Sequence, residues 1–332
     1  MKLKPLHCRK PLKWIRAAFI SAAVILLAGC NETDNQANGE AWKAEIATAF
    51  EHNRSITNHR FNVELSLNRH PADSASSSEG TRPGEPFTVK SIQLNGISYA
   101  EPRRYEADVR VGSGDAADAF QLPMLLQDNK LYVSVPMINK EGEYLLIDLD
   151  DREQAAAMPV SAMLHTDSPL FRPGSYLAAE AEPHSVQLRP ETEPSEGGPR
   201  RFEINVTEDN AEELKTAVLK GLSAWAAALP EEFAGSDIAD LLKEGESAAL
   251  EPGGTVSITI DPDGFVTEQH VELAFTPAGA EDAEFEAEEA SRLHYRAVLS
   301  DINKSPGMTK SVPEHVLLFK HVLAFMAANR QS

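Results

Sequence analysis

Residues 104–137 read Arg-Tyr-Glu-Ala-Asp-Val-Arg-Val-Gly-Ser-Gly-Asp-Ala-Ala-Asp-Ala-Phe-Gln-Leu-Pro-Met-Leu-Leu-Gln-Asp-Asn-Lys-Leu-Tyr-Val-Ser-Val-Pro-Met. Within it the apolar side chains recur every second residue. Tyr105, Ala107, Val109 and Val111 form one run; Phe120, Leu122, Met124 and Leu126 a second; Leu131, Val133, Val135 and Met137 a third. Strict alternation marks half-buried strands with one apolar face. Asp128-Asn129 sits between the second and third runs and predicts a two-residue hairpin turn. Consecutive hairpins make an antiparallel meander.

The same period continues outward. Upstream, Phe61, Val63, Leu65 and Leu67 alternate with polar residues. Between 86 and 100 the parity shifts, from Phe87 and Val89 to Ile92 and Leu94, as a β-bulge would cause. Downstream, Lys140-Glu141-Gly142 leads into a strand over Tyr144–Leu149. Phe202, Ile204 and Val206 form another, then Val256, Ile258 and Ile260. Asp261-Pro262-Asp263-Gly264 turns the chain into a strand over 264–276, with Phe265, Val271, Leu273 and Phe275 on one parity. A last strand is expected over about 285–299. Residues 71–86 and 189–200, rich in Ser, Gly, Pro and charge, are loops.

Helical spacing appears in four places. Trp42, Ile46, Ala49 and Phe50 predict a helix over 41–52. A helical segment is expected at about 209–245. Asp209 and Glu212 suggest its capping box, and Leu214, Ala217, Val218, Gly221, Leu222, Trp225, Ala228 and Leu229 its apolar stripe. Pro230 ends that helix, and a shorter one is expected at 236–243. A C-terminal helix is read as capped by Ser311-Val312-Pro313-Glu314 and carrying Val316, Phe319, Val322, Leu323 and Met326. Strands in runs with segregated helices argue α+β.

The N-terminus gives an address. Lys2, Lys4, Arg9, Lys10, Lys13 and Arg16 precede an apolar run from Ala17 to Ala28. That is a secretory signal peptide, too short to span a bilayer, which needs about 20 apolar residues. Leu27-Ala28-Gly29-Cys30 resembles the lipobox of bacterial lipoproteins. The resemblance implies cleavage between Gly29 and Cys30, lipidation of the Cys30 thiol and attachment to a membrane. Residues 1–29 are then the signal peptide, 30–40 the lipidated cysteine with a polar tether, and 41–332 one folded domain. Several acyl chains together hold a protein stably on a bilayer.

Of 332 residues, 31 are Lys or Arg and 51 are Asp or Glu. Six of the basic residues and none of the acidic ones lie in the signal peptide, so the mature chain carries −26. This excludes nucleic-acid binding through phosphates, which needs clustered cations. Anionic head groups would repel the domain. Cys8 and Cys30 are the two cysteines, one lost with the signal and one lipidated. The domain therefore depends on its core, without disulfides.

A lipobox, a helix after a short tether and a strand meander together resemble the LolA/LppX-type superfamily of bacterial lipoproteins and lipoprotein carriers. Asn129-Lys-Leu-Tyr-Val-Ser-Val-Pro136, Glu143-Tyr-Leu-Leu-Ile-Asp148 and Asp261-Pro-Asp-Gly-Phe265 carry the likeness, which favours a Gram-positive source. The resemblance implies a strongly curved antiparallel sheet, an open half-barrel with covering helices. Apolar space between sheet and helices would hold acyl chains. Trp225 and Leu222 on one helix, with Phe319 and Leu323 on the other, are the candidate lining residues. Trp225 has two readings, cavity wall or ordinary packing against the sheet.

Catalytic motifs are absent from the sequence. The ten histidines (7, 52, 59, 70, 165, 184, 270, 294, 315 and 321) include no His-Glu-x-x-His helix motif. His315 and His321, read on one helix, would face different ways. No Gly-x-Ser-x-Gly elbow or phosphate loop occurs. Asp261-Pro-Asp-Gly264 lacks EF-hand spacing. The acidic run Glu281–Glu289 reads as a solvated face. The expectation is a non-enzymatic lipoprotein at the extracytoplasmic face of a bacterial membrane, without cofactor or metal. It would bind a hydrophobic ligand such as a lipid or lipopeptide. The alternative is an envelope interaction protein with a closed core and a protein partner.

Overall fold

Asp128 and Asn129 both adopt left-handed backbone angles (φ 54° each), the conformation a two-residue type I′ hairpin requires. They join β4 (Phe120–Gln127) to β5 (Lys130–Val133), with Gln127 opposite Lys130. This hairpin belongs to a computed structural model that describes residues 37–68, 91–112, 119–136, 138–157, 168, 171–189, 197–228, 245–276 and 290–329.

From β4 the meander extends both ways. On one side lie β3 (Arg104–Gly112), β2 (Ser91–Tyr99) and β1 (Asn58–Asn68), each antiparallel to its neighbour. On the other lies β6 (Glu143–Asp148). A second set comprises β7 (Val186–Arg189), β8 (Arg200–Asn205), β9 (Ala249–Leu250), β10 (Thr255–Ile260), β11 (Val266–Thr276) and β12 (Ser291–Ser300). The two sets meet where β1 pairs with β12, Phe61 opposite Leu299 and Val63 opposite Ala297. β13 (His315–Leu318) adds to β6 in parallel. The thirteen strands form one sheet in the order β13-β6-β5-β4-β3-β2-β1-β12-β11-β10-β8-β7, with β9 on β11. The order does not close on itself. The result is an α+β fold built on a large, curved, mostly antiparallel open sheet.

Register keeps the apolar parity on one face throughout. Val63 lies opposite Leu94, Leu94 opposite Val109, Ala107 opposite Met124, and Leu126 opposite Leu131. In the other direction Tyr295 lies opposite Val271, Val271 opposite Val256, and Val256 opposite Ile204. These residues, most of them buried, form this inner face and one contiguous core. A slip of one residue would turn a whole strand inside out. In β11 the register shifts between Ile260–Val266 and Thr259–Glu268, a bulge. It lets Val266 and the odd-numbered Gln269, Val271 and Leu273 all be buried.

Helices accompany the sheet, among the described residues α1 over 37–52, α2 (Arg152–Ala157), α3 (Pro173–Glu180), α4 (Ala211–Ala228) and α5 (Phe319–Asn329), with a further helical turn over 245–247. α1 buries Ile46, Ala49 and Phe50 as its spacing predicts. It also takes in 37–40, the last four residues of the segment read as a tether. Gly39 is buried there, at a close approach to the Pro183 carbonyl that leaves no space for a Cβ.

Three local readings are corrected. The C-terminal helix begins at Phe319, not after a Ser311 cap, because His315–Leu318 is drawn into the sheet beside Glu143–Leu146. His315 and His321 therefore do not share a helix. α4 starts at Ala211, and Asn210 rather than Asp209 precedes it. The buried Asn210 side chain accepts from the Thr207 N–H (2.8 Å) and donates to the Asn205 carbonyl (2.9 Å), while Glu212 pairs with Lys215. Strand β7, falling at the edge of the expected 189–200 loop, has no counterpart in the sequence reading. The parity shift at Phe87–Val89, Met137, the helix at 236–243 and loop 71–86 lie outside the described residues.

Candidate functional site: the inner face and its covers

The middle of the inner face is aromatic. Phe61 stacks on Tyr105 with centroids 5.2 Å apart. Phe171, just before α3, meets Phe61 edge-on at 5.7 Å and His59 at 6.4 Å. Small residues make room for this cluster. Gly96 lies between Phe61 and Ala107 in the cross-strand row, and a Cβ there would fall on the Glu106 carbonyl oxygen and 2.5 Å from Phe61 Cζ. A glycine inside a strand commonly marks such a close approach.

The covers are fastened by buried amides. Gln269 accepts from the Gly174 N–H at 3.1 Å and donates to the Phe171 carbonyl at 2.7 Å, tying the start of α3 to β11. Asn53, after α1, exchanges two hydrogen bonds with the Val266 backbone (2.9 and 3.1 Å) at the bulge. His52 stacks on Phe265 at 4.2 Å. Lys43 donates to the Ala181 carbonyl at 2.6 Å, and Lys220 pairs with Glu180 at 2.9 Å, joining α1 and α4 to the α3 region.

Electrostatics on this side are those of a desolvated interior. Burial pushes the Tyr105 and Tyr295 phenols well above the usual tyrosine range. The Tyr105 hydroxyl is buried and has no hydrogen-bond partner among the described residues. Burial also raises the Glu45 carboxyl, an effect the Arg200 guanidinium partly offsets.

The expected lining residues fall as follows. Leu222 on α4 and Phe319 on α5 are half-buried and pack against the common core. Leu323 is half-buried on α5. α4 rests on α3 and β9, whereas α5 follows β13 and packs on β6, so the two approach the core from opposite ends of the strand order. The Trp225 side chain, Gly29 and Cys30 lie outside the described residues.

The outer face has its own fittings. After β12 the chain runs across it to reach β13. Glu106, buried, accepts the Thr309 N–H (2.9 Å), the Thr309 hydroxyl (3.1 Å) and the Lys310 N–H (2.7 Å). Lys310 Nζ reaches Asp108 at 2.8 Å, and Arg104 donates to the Lys310 carbonyl at 3.0 Å. Beside this strap is a recess of about 380 Å³, with Asn62, Asn95, Glu106, Asp108 and Ser300 among its lining residues. The sequence offered no signal for the strap, because Glu106 and Thr309 are 203 residues apart.

Fold and inner face together define an open half-barrel with an apolar, helix-covered side. Among solved structures the chain is similar to the Mycobacterium tuberculosis lipoprotein LppX (10% identity, 81% of this chain and 99% of that one, TM-score 0.33). It is similar to LprF from Mycobacterium bovis (9% identity, 82% and 96%, TM-score 0.35). A LolA superfamily protein from Nitrosomonas europaea follows (9% identity, 80% and 94%, TM-score 0.21). No protein-family model and no curated relative matches the sequence. Among the described residues, no helix is long and apolar enough to cross a membrane.

Proposed function

We propose that the protein is a non-enzymatic lipoprotein, anchored at the extracytoplasmic face of a bacterial membrane through Cys30, that holds a hydrophobic ligand between sheet and helices. The observation that carries the reading is the inner face: apolar across an open sheet and roofed by helices fastened at a few polar points. Acyl chains suit such a face, since each buried CH₂ contributes about 0.8 kcal/mol. Leu222, Phe319, Leu323 and Trp225 are the proposed wall on the helix side. The Tyr105 hydroxyl, without a partner among the described residues, offers one polar contact to a head group or carboxyl. The lipobox supports the anchor, and the −26 charge of the mature chain would keep the domain off an anionic surface.

Native mass spectrometry of protein purified in mild detergent tests this. A lipid adduct at one equivalent, exchangeable for a fluorescent fatty acid, is the expected result. A clean ligand-free mass with no uptake of the probe would instead favour a closed core and a protein partner in the envelope. The near-zero exposure of Leu126, Ile147, Ile258 and Leu214 is the observation that favours that second reading. Globomycin-sensitive processing of the precursor, lost in Cys30→Ala, tests the anchor separately.

A further inference from the structure

His270 and Glu272 are two residues apart on β11, so both point to the outer face. His294 on β12 lies directly opposite Glu272. Their polar atoms converge. His270 Nε2 is 3.4 Å from His294 Nδ1 and 3.3 Å from Glu272 Oε1, and His294 Nδ1 is 3.6 Å from the same carboxylate oxygen. The rings meet edge-on with centroids 5.0 Å apart. All three side chains are partly exposed, at 27%, 58% and 36% for His270, Glu272 and His294.

We propose that His270, Glu272 and His294 form a binding site for one divalent transition-metal ion, zinc or its neighbours, on the outer face of the sheet. The geometry is the first argument. Zinc bound by imidazole nitrogen and carboxylate oxygen sits about 2.0–2.1 Å from each ligand, so two ligands of a tetrahedron are about 3.3–3.4 Å apart. The three observed separations, 3.3, 3.4 and 3.6 Å, describe one face of that tetrahedron with almost no rearrangement. Three protein ligands would leave a fourth position for water, and the partial exposure of all three side chains allows it. Ligand chemistry is the second argument. Two imidazoles and one carboxylate suit zinc, copper(II) or nickel and not calcium or magnesium, which take oxygen ligands. Rigidity is the third: all three residues stand on adjacent, fully paired strands in the middle of the sheet.

The surrounding charges are compatible. Arg296 on β12 lies opposite His270 on one side and Glu64 on the other, and its guanidinium is held by Glu268 at 2.9 Å. Arg292 flanks the other end of the site on the same face. Across β10, Arg201 donates to Ser257, the residue opposite His270. The competing account of the cluster is a metal-free contact in which Glu272 accepts hydrogen bonds from the two imidazoles. The site is on the opposite side of the sheet from the proposed ligand space and does not depend on that reading.

The test uses full-length, untagged protein in detergent micelles, stripped with chelator and titrated with zinc chloride against a fluorescent zinc indicator. One equivalent should bind saturably and raise the Tm. X-ray absorption should show nitrogen and oxygen neighbours, including imidazole scattering, and no sulfur. His270→Ala and His294→Ala should each weaken binding by at least about tenfold. His294→Asn, closer in size, guards against a variant that fails for structural reasons, and all variants are compared at matched Tm without metal. No saturable uptake would overturn the proposal. So would uptake that survives both histidine changes, which would place the metal elsewhere, for instance on the N-terminal cysteines.

Discussion

Replacing Gly96 by alanine adds one methyl group at the most crowded point of the inner face. The new Cβ would overlap the Glu106 carbonyl oxygen, approach Phe61 Cζ to 2.5 Å and Ala107 Cα to 3.0 Å. Two of the three obstacles are backbone atoms of β3, paired along its whole length with β2 and unable to swing aside. The third is a ring already stacked on Tyr105. Overpacking a core ordinarily costs about 1–3 kcal/mol. Because backbone must move here, the upper end, about 3 kcal/mol, is expected. At about 2–4 °C per kcal/mol, the Tm should fall by roughly 6–12 °C. Two other glycines serve as controls. Gly307 has open space and should tolerate alanine within about 0.5 kcal/mol. Gly142 is also unhindered but has φ +78°, so alanine there should cost about 1–2 kcal/mol from backbone strain alone. Urea denaturation of the three variants ranks them. A Gly96→Ala protein as stable as Gly307→Ala would refute the close approach of β2 to β3 on which the inner-face packing rests.

Alkaline pH should unfold the protein through Tyr105 and Tyr295. Burial raises both phenols in the folded state, so their contribution is complete below the unfolded value of about 10 and is lost above it, as the unfolded chain releases protons first. Two such groups give a loss of about 2.7 kcal/mol per pH unit above that point; Tyr105→Phe should halve the slope, and an unchanged slope would refute it. At neutral pH the same substitution removes a hydroxyl that has no partner among the described residues and should leave stability equal or higher by up to about 1 kcal/mol, unless bound ligand uses that group. Glu106→Ala strands the Thr309 and Lys310 N–H groups; hydrogen exchange at those two amides should speed up markedly while the β1–β12 amides stay protected. Asn53→Ala breaks both bonds to Val266 and should cost about 2 kcal/mol in a urea titration.

The strands were legible because period-two alternation is local and strong, and because one face of each is buried. Asp128-Asn129 and Asp261–Gly264 were legible because left-handed turns favour those residue types. What failed was whatever depends on distant partners. His315–Leu318 has residues that suit either state, and the free edge of β6 decided it. β7 is four residues long, three of them exposed, so it carries no hydrophobic signature. Asn210 displaced Asp209 as the residue before α4 because its amide both accepts from and donates to the preceding backbone, which a carboxylate cannot do. The histidine cluster has no helical spacing to mark it. On a strand the ligand signal is His-x-Glu at i and i+2, with His294 on the next strand. The register that pairs Glu272 with His294 is a tertiary fact.

An unclosed sheet must solve a problem that a barrel avoids, since both outer strands offer unpaired backbone to other chains. Here both edges are short. β7 and β13 have four residues each, against eleven in β1 and β11. The β7 edge carries Arg189, whose guanidinium is held by Glu203, and charge at an edge discourages pairing. The β13 edge runs directly into α5, which packs back on β6. To place β13 there the chain must travel from β12, in the middle of the sheet, across the outer face to the far side, and the Glu106–Lys310 contacts hold that crossing in place. The strap is therefore part of how the sheet stays open yet ends cleanly. Loosening it should expose the edge of β6 and raise aggregation, while the inner face, formed by the opposite parity of the same strands, keeps its packing.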